Sequence, residues 1–457
     1  MKDRKTAQYL LRYGVAQGRN LLAASIEGID QAVVIPALAE RRSLFRTLAS
    51  IAQNPPNDLN RTLVICVVNN HRPPLSREEQ ILDNQETLSI LRSIVFSKTD
   101  SCRACPVQDM DEIEMIERSE LRLAYIDASS RGFEIPDRDG GVGTARKIGM
   151  DAALSIIASS GKANGSICCL DADTLVEENY LSAIQTHFCH TDNPGAVTAY
   201  AHQRTADPEL QAAICCYEIY LRSYVLGLAY AGSPYAYHSI GSTMACSTDG
   251  YRSVRGMNRR EAAEDFHFLN KLSKTGVIGT IEQTTVFPSP RLSGRVPFGT
   301  GQRMRRFVNG QASEYLIHSP ESFKILKEWL ALMRRDRGNS DAGDLLNEAG
   351  RIHVCLENYL RLCRFEATWR LIQKNSRDES QLLRQFHVWF DGLKTLRLIH
   401  CLDRTSFPPV PMFTGLRGLL GQMGATGIGF ACQEHGVPDV DAQLRIVQRL
   451  RSVFPGS

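Results

Sequence analysis

The sequence Ser166-Ile-Cys-Cys-Leu-Asp-Ala-Asp-Thr174 decides the fold class. Ser166–Leu170 is a short apolar run, which predicts a strand buried on both faces. The strand ends in Asp171 and Asp173, and a helix is predicted from Thr174 to Phe188. Open α/β sheets place their ligands at the carboxyl ends of such strands, where paired carboxylates can hold a hard divalent cation and a diphosphate. Because Asp-x-Asp is also common turn and helix-capping chemistry, the rest of the chain must choose between these interpretations.

Strand and helix patterns alternate before this stretch. The apolar runs Ala32–Ile35, Leu63–Val68 and Leu121–Ile126 are predicted strands, and segments with helical spacing separate them. This alternation predicts an α/β fold with a mainly parallel central sheet and right-handed crossovers. Residues 98–120, which contain Cys102-Arg-Ala-Cys105 and an acidic run, break the pattern and are expected to form a surface insertion.

The alternation stops near Pro320, and helical spacing dominates from there on. The sequence therefore predicts three parts. They are a helical lead-in over residues 1–28, an α/β domain over residues 29–310, and a helical C-terminal region over residues 311–457.

Charge, cysteine content and hydrophobicity limit the classes of protein to which this chain can belong. The net charge of +3 over 457 residues gives no reason to expect nucleic-acid binding. The 13 cysteines include pairs inside apolar runs, which is typical of reduced core cysteines and favours the cytoplasm. We expect no signal peptide, because Arg12 and Gly14 interrupt the apolar stretch Tyr9–Val15. We expect no membrane span, because no apolar run reaches about 18 residues. Peripheral contact with a membrane remains open.

A glycine pair precedes one predicted helix. Gly141-Val-Gly143 is similar to the start of a dinucleotide-binding fingerprint, but Arg146 occupies the position of the third glycine. This departure makes an NAD-dependent oxidoreductase the weakest hypothesis. The backbone N–H groups of this helix start, together with Arg146, can still hold an anionic nucleotide.

Two further segments carry candidate chemistry. Asp265 begins the apolar face of a helix that continues through Phe268, Leu269 and Leu272. Burial would raise its pKa and the helix N-terminus would lower it, so a general base and a helix-dipole acid both remain open. The loop Val286–Gly301 contains Arg291 and Arg295, and it is either a phosphate-closing loop or a basic surface loop.

Four pieces of sequence stand in a fixed order: Val33-Val-Ile-Pro-Ala37 with Glu40, Leu170-Asp-Ala-Asp173, Gly241-Ser-Thr-Met-Ala245, and Arg255-Gly256-Met257 followed by Glu264-Asp265. This series, over roughly residues 31–301, resembles the GT-A glycosyltransferases of family 2. The resemblance implies the GT-A (nucleotide-diphospho-sugar transferase) fold. It also implies a metal-dependent, inverting hexosyltransferase that moves a sugar from a nucleotide-sugar donor to an acceptor hydroxyl.

Site residues follow from the resemblance by position. The donor pocket would contain residues from five segments of the chain: Pro36, Ala37, Glu40, Asn69, Arg146, Asp171, Arg291 and Arg295. Because family members often have an acidic residue where Asn69 stands, the base of the nucleotide remains open. Asp171 and Asp173 correspond to the DxD motif that binds Mg²⁺ or Mn²⁺, with Asp173 as the more direct ligand. Asp265 corresponds to the catalytic base.

Two other hypotheses compete with this one. A metal-dependent nucleotidyltransferase would need a basic loop after the first strand, whereas Pro36–Glu40 is apolar and acidic. A non-catalytic scaffold with a decayed transferase domain would not need to keep its carboxylates. The donor sugar and the acceptor (a glycan, a lipid or a small molecule) remain open. The third metal ligand also remains open, because no histidine lies between His267 and His318.

Overall fold

The computed structural model describes residues 4–15, 18–96, 110–136, 140–161, 165–260, 263–292, 300–310, 314–424 and 436–453. The chain forms two compact units. The first contains the chain up to Arg204 together with Ser239–Gln302, and the second contains Thr205–His238 and the chain from Arg303 onward. The expected domain boundaries after residues 28 and 310 stay a prediction.

The first unit is built on a sheet whose strands are β1 (Leu21–Ala23), β2 (Gln31–Ala37), β3 (Thr62–Asn69), β4 (Arg122–Ala128), β5 (Ser166–Cys169), β6 (Leu175–Val176), β7 (Gly195–Tyr200), β8 (Met244–Ser247) and β9 (Ile278–Phe287). The nine strands lie in the order β1-β4-β3-β2-β5-β8-β7-β9-β6. Strands β2, β3, β4 and β5 pair in parallel, as do β7 and β9, whereas β1, β6 and β8 run in the opposite direction. The expected mixed α/β fold with a mainly parallel sheet is confirmed.

Every residue of β2 and β3 is buried, which explains why their sequences are continuous apolar runs without alternation. The first strand was expected to end at Ile35, but β2 continues through Pro36 to Ala37. Val34 O accepts a hydrogen bond from Leu170 N, so Val34 and Pro36 face β5. Because β5 has ended at that level, the missing N–H of Pro36 removes no bond from the ladder.

The helices of this unit are α1 (Arg4–Tyr13), α2 (Arg41–Ala52), α3 (Pro56–Leu59), α4 (Glu78–Phe96), α5 (Met110–Arg118), α6 (Val142–Ser159), α7 (Tyr180–His190), α9 (Thr248–Ser253) and α10 (Glu264–Leu272). One sequence expectation fails here. Helix α5 is not a solvated insertion, because Ile113 and Ile116 are buried in the core beneath the sheet. The Cys102–Cys105 pair lies outside the described residues.

The helix expected from Thr174 begins later, at Tyr180. Leu175 and Val176 form the edge strand β6 against β9, and the Glu177 carboxylate accepts a hydrogen bond from Thr285 N. These contacts hold the chain extended after the Asp171-Ala-Asp173 turn. They arise from a strand more than 100 residues away, so no local pattern reveals them.

The second unit contains α8 (Pro208–Tyr230), α12 (Pro320–Asp336), α13 (Ala342–Ile352), α14 (Val354–Leu362), α15 (Phe365–Asn375), α16 (Glu379–Trp389), α17 (Gly392–Thr405), α18 (Met412–Gln422) and α19 (Val440–Val453), with the short antiparallel strands β10 (Leu316–Ile317) and β11 (Val410–Pro411). Helix α11 (Thr300–Val308) begins in the first unit and continues into the second. An aromatic cluster forms its core: Trp329, Phe365, Trp369, Phe386 and Phe390. The expected helical C-terminal region is thus present. Among the described residues, one helix, α8, is long and apolar enough to cross a membrane, and 67% of its apolar window is buried inside the protein.

Candidate active site

The order of the strands fixes where a ligand can bind. From β2 the chain goes outward through β3 and β4 on one side, and it returns to pair β5 with β2 on the other side. The carboxyl ends of β2 and β5 therefore flank a switch point, where open α/β sheets bind ligands. Glu40 follows β2, and Asp171 and Asp173 follow β5, so the topology brings three carboxylates to one edge.

Arg146 lies under this edge and joins two acids. One terminal nitrogen lies 2.5 Å from Asp171 Oδ1, and the other contacts Glu264. Its side chain is only 3% exposed, whereas Asp171 is 36% exposed. Burial lowers the pKa of Arg146, but the charges of Asp171 and Glu264 outweigh burial and raise it overall. Ser242 Oγ donates to the other oxygen of Asp171 at 2.7 Å, so Asp171 is held from two sides.

Two glycines make room for this arginine. A Cβ at Gly241, in the turn before β8, would overlap the guanidinium group of Arg146. A Cβ at Gly143, in the first turn of α6, would lie 2.5 Å from Asn258 O and 2.6 Å from Arg260 O. Gly143 thus allows the start of α6 to approach the loop before α10. Both glycines serve the packing of the site, and neither needs an unusual backbone angle there.

Arg291 forms the second charged centre. Its Nε lies 2.7 Å from Asp173 Oδ2, a terminal nitrogen contacts Glu40, and the other lies 3.4 Å from Ser43 Oγ. Burial lowers the pKa of Arg291, but hydrogen bonds and charge from Glu40 and Asp173 raise it overall. The arginine is 32% exposed and so remains accessible to a ligand. Arg295, the other arginine expected in this loop, lies outside the described residues.

Helix α10 contributes two adjacent acids. Glu264 is 4% exposed and contacts Arg146, whereas Asp265 is only partly buried and accepts a 2.7 Å hydrogen bond from Phe266 N. Burial and the neighbouring carboxylates raise the pKa of Glu264 to about 7 in spite of Arg146. Burial also raises the pKa of Asp265, against the opposing effect of Arg146. Glu264, which contacts Arg146, is thus more deeply buried than Asp265, although the sequence pattern placed Asp265 at the start of the apolar face.

The floor of the expected nucleotide pocket is organised by a residue that sequence reasoning missed. Pro36 and Ala37 are buried at the end of β2, and Asn69 is buried at the end of β3. Asn84 on α4 donates to Asn69 O at 3.0 Å and accepts from Ala39 N at 2.9 Å. Asn84 therefore ties the two strand ends together. In the sequence, Asn84 is a polar residue within a helical segment, four residues before Leu88. This pattern does not indicate that its side chain bonds to the ends of two strands.

The balance of charge tests whether a metal fits here. Two guanidinium groups, Arg146 and Arg291, face five carboxylates, namely Glu40, Asp171, Asp173, Glu264 and Asp265. Asp171 and Asp173 are 36% and 19% exposed, so both can still reach a cation. Oxygen donors with an excess of negative charge suit Mg²⁺ or Mn²⁺. The residues at this edge of the sheet therefore fit a divalent cation.

Comparisons with known proteins give limited information. No protein-family model matches the sequence, and no curated protein matches it either. A structure of S. aureus TarS 1-349 in complex with UDP-GlcNAc is similar at a TM-score of 0.35 and 12% identity, over 94% of this chain and 93% of that one. The mannosyltransferase PcManGT from Pyrobaculum calidifontis, in complex with GDP-Man and Mn²⁺, is similar at a TM-score of 0.34 and 10% identity, over 99% of this chain and 89% of that one. Similarity at this level does not identify a family, so the function must be argued from the site itself.

Proposed function

We propose that the first unit is a metal-dependent glycosyltransferase that moves a sugar from a nucleotide-diphosphate sugar to an acceptor hydroxyl. One observation carries the proposal. Acids that follow β2, follow β5 and begin α10 converge around Arg146 and Arg291 at the switch point of the sheet. A nucleoside diphosphate needs a divalent cation and arginines at one place, and this edge of the sheet offers both.

The donor would bind above the ends of β2 and β5. Asp173, with Asp171, would hold Mg²⁺ or Mn²⁺, which when bound neutralises the leaving diphosphate. Arg291 sits beside Asp173 and can turn toward the diphosphate oxygens as a second cation. The Arg146 side chain is only 3% exposed, so we give it a different role from the direct donor contact expected from the resemblance. It fixes Asp171 and Glu264 in place from below and acts as a positioning residue.

Asp265 is the proposed base. One of its oxygens accepts from Phe266 N, and its partial exposure leaves the side chain accessible to an acceptor. It would take the proton of the acceptor hydroxyl while that oxygen bonds to the anomeric carbon and the bond to the diphosphate oxygen breaks. A single displacement of this kind inverts the anomeric centre. Burial raises the pKa of Asp265, which makes its carboxylate a stronger base than that of an exposed aspartate.

We also propose that the reaction takes place in an α/β domain of family 2 type over residues 29–310. The transferred sugar would be a hexose and the compartment the cytoplasm. The acceptor is a hydroxyl of unspecified kind, and contact with a membrane surface would bring a lipid acceptor within reach.

The test is release of nucleoside diphosphate from a panel of UDP-, GDP- and dTDP-sugars that includes UDP-GlcNAc and GDP-Man, with Mn²⁺ or with EDTA. We expect one donor to be hydrolysed only with metal. Asp173→Asn should abolish the reaction, and Asp111→Asn, an exposed acid on α5, should leave it unchanged. Release of pyrophosphate would instead identify a nucleotidyltransferase.

If no donor of the panel is hydrolysed, binding of the same donors is measured by calorimetric titration in the presence of Mn²⁺. Binding that Asp173→Asn removes would keep the proposal and point to a missing acceptor. If the wild type binds no donor in the presence of metal, the proposal fails and the domain is a scaffold.

A further inference from the structure

A second group of polar side chains lies in the helical unit, in a region without any role so far. His318 stands between β10 and α12, and His400 and Asp403 lie on α17. The spacing of three residues puts His400 and Asp403 on the same face of that helix. One potential ligand atom from each of the three residues lies within 4.8 Å of the other two. The chain thus brings two imidazoles and a carboxylate together from segments about 80 residues apart.

The partners of these side chains leave donor atoms available. His318 Nδ1 lies 2.7 Å from Asp403 Oδ2, and the two side chains are 7% and 11% exposed. Within the described chain, the other oxygen, Asp403 Oδ1, is buried and has no hydrogen-bond partner. An unpaired buried carboxylate oxygen is costly, because it has lost water without gaining a replacement. Such an atom is accounted for if a cation binds beside it.

The surroundings of His318 also fit a metal ligand. Tyr220 Oη lies 3.3 Å from His318 Nε2, on the side of the ring away from Asp403. Metal-bound histidines usually engage the second ring nitrogen in a hydrogen bond of this kind, which fixes the orientation of the ring. Arg303 stacks on the Tyr220 ring at 3.9 Å and so holds the tyrosine in place. His400 is partly exposed, which gives an ion a route from solvent.

We propose that His318, His400 and Asp403 form a binding site for one divalent transition-metal ion, with Zn²⁺ as the best match. Two nitrogens and one carboxylate oxygen are the ligand types that Zn²⁺ takes, and three protein ligands leave the fourth position to water. Around a tetrahedral Zn²⁺ the donor atoms stand about 3.3 Å apart. A bound ion would replace the 2.7 Å contact between His318 Nδ1 and Asp403 Oδ2, and the unpaired Oδ1 would be available to it as a ligand. The three residues all belong to the second unit, and the metal site does not depend on the proposed sugar transfer.

The experiment titrates Zn²⁺ into the full chain after treatment with EDTA, and repeats the titration with Co²⁺ to record the visible absorption of the bound ion. We expect about one tightly bound Zn²⁺ per chain, and a Co²⁺ spectrum typical of tetrahedral nitrogen and oxygen ligands. His400→Gln and Asp403→Asn should each weaken Zn²⁺ binding at least tenfold. Loss of a partner that only supports a ligand already costs about tenfold in affinity, and loss of a ligand should cost no less. His190→Asn, at an exposed histidine, should bind as the wild type does.

Asp173→Asn separates this site from the acidic edge of the sheet. Retention of Zn²⁺ by Asp173→Asn, with loss in His400→Gln, supports the proposal. Equal binding by the wild type and His400→Gln overturns it, and so does loss in Asp173→Asn alone. His400 is the most exposed of the three ligands, so its variant remains decisive even if Asp403→Asn does not fold.

Discussion

Arg291 is paired with Asp173, its Nε lying 2.7 Å from Oδ2, and the same guanidinium contacts Glu40. The sequence assigned Asp173 to a metal and Arg291 to a diphosphate. The structure shows that these two side chains form an ion pair with each other. A cation that binds Asp173 must therefore compete with Arg291, and Arg291 then becomes available to the donor.

Replacing Arg291 by Gln should separate two affinities. A partly exposed ion pair contributes at most about 1 kcal/mol, so its loss should strengthen binding of Mn²⁺ alone by up to about fivefold. Binding of UDP in the presence of Mn²⁺ should weaken by about tenfold, because a charged hydrogen bond to the diphosphate is lost. Calorimetry of both ligands measures the split, with Arg46→Gln at an exposed position of α2 as the control. A parallel fall of both affinities would contradict this role for Arg291.

Glu264 should make stability depend on pH in a defined direction. Its pKa in the folded protein is about 7, above the ordinary 4.5, so the folded state holds the proton more tightly than the unfolded state does. The stability of the wild type relative to Glu264→Gln is therefore greatest below about pH 4.5 and falls as the pH rises through about 7. The total change is at most about 3 kcal/mol.

Urea unfolding of the wild type and Glu264→Gln between about pH 4 and about pH 8 measures this difference. Glu78→Gln, an exposed substitution on α4, is the control and should run parallel to the wild type. A difference between the wild type and Glu264→Gln that stays constant with pH would show that burial does not shift this group.

Gly241→Ala tests the packing around Arg146. A Cβ at this position overlaps the terminal nitrogen of Arg146 that pairs with Asp171, so the guanidinium group must shift. We expect a loss of about 1–3 kcal/mol in stability and a larger loss in donor binding, because Asp171 loses its partner. Gly421→Ala on α18 is the matched control, since its Cβ would meet nothing within 4 Å. The control should be neutral or slightly stabilising. Equal effects of the two substitutions on donor binding would rule out this account of Gly241.

The parts of the fold that could be predicted are those that local patterns encode. Buried parallel strands read as apolar runs, so β2, β3 and β5 were found from sequence, and the acids that follow β5 with them. The edge strand β6 was missed because it exists only through its pairing with β9. The same is true of the helix start at Tyr180, which depends on how far that pairing extends.

The candidate site divides in the same way. Residue types and order identified Asp171, Asp173 and Asp265, but could not show that Arg146 binds Glu264 from across the unit. Adjacent acids at a helix start look alike in sequence, and only packing decides which one faces inward. The cluster of His318, His400 and Asp403 was equally invisible, because a lone histidine and an His-x-x-Asp pair carry no signal until tertiary structure brings them together.

The adjacent acids on α10 should give different kinetic effects. Asp265→Asn removes the proposed base and should lower kcat by about 10²–10⁴-fold while donor affinity stays the same. Because burial raises the pKa of Asp265, wild-type kcat/KM should fall as the pH drops through that raised value, where the base becomes protonated. Glu264→Gln should instead raise the KM for the donor, since Glu264 acts through Arg146 and Asp171 rather than on the acceptor. Steady-state rates across pH, with donor binding measured separately, distinguish the two. If Glu264→Gln showed the larger loss of kcat and Asp265→Asn kept its acidic limb, the base would be Glu264, and the partly exposed Asp265 would serve only the start of the helix.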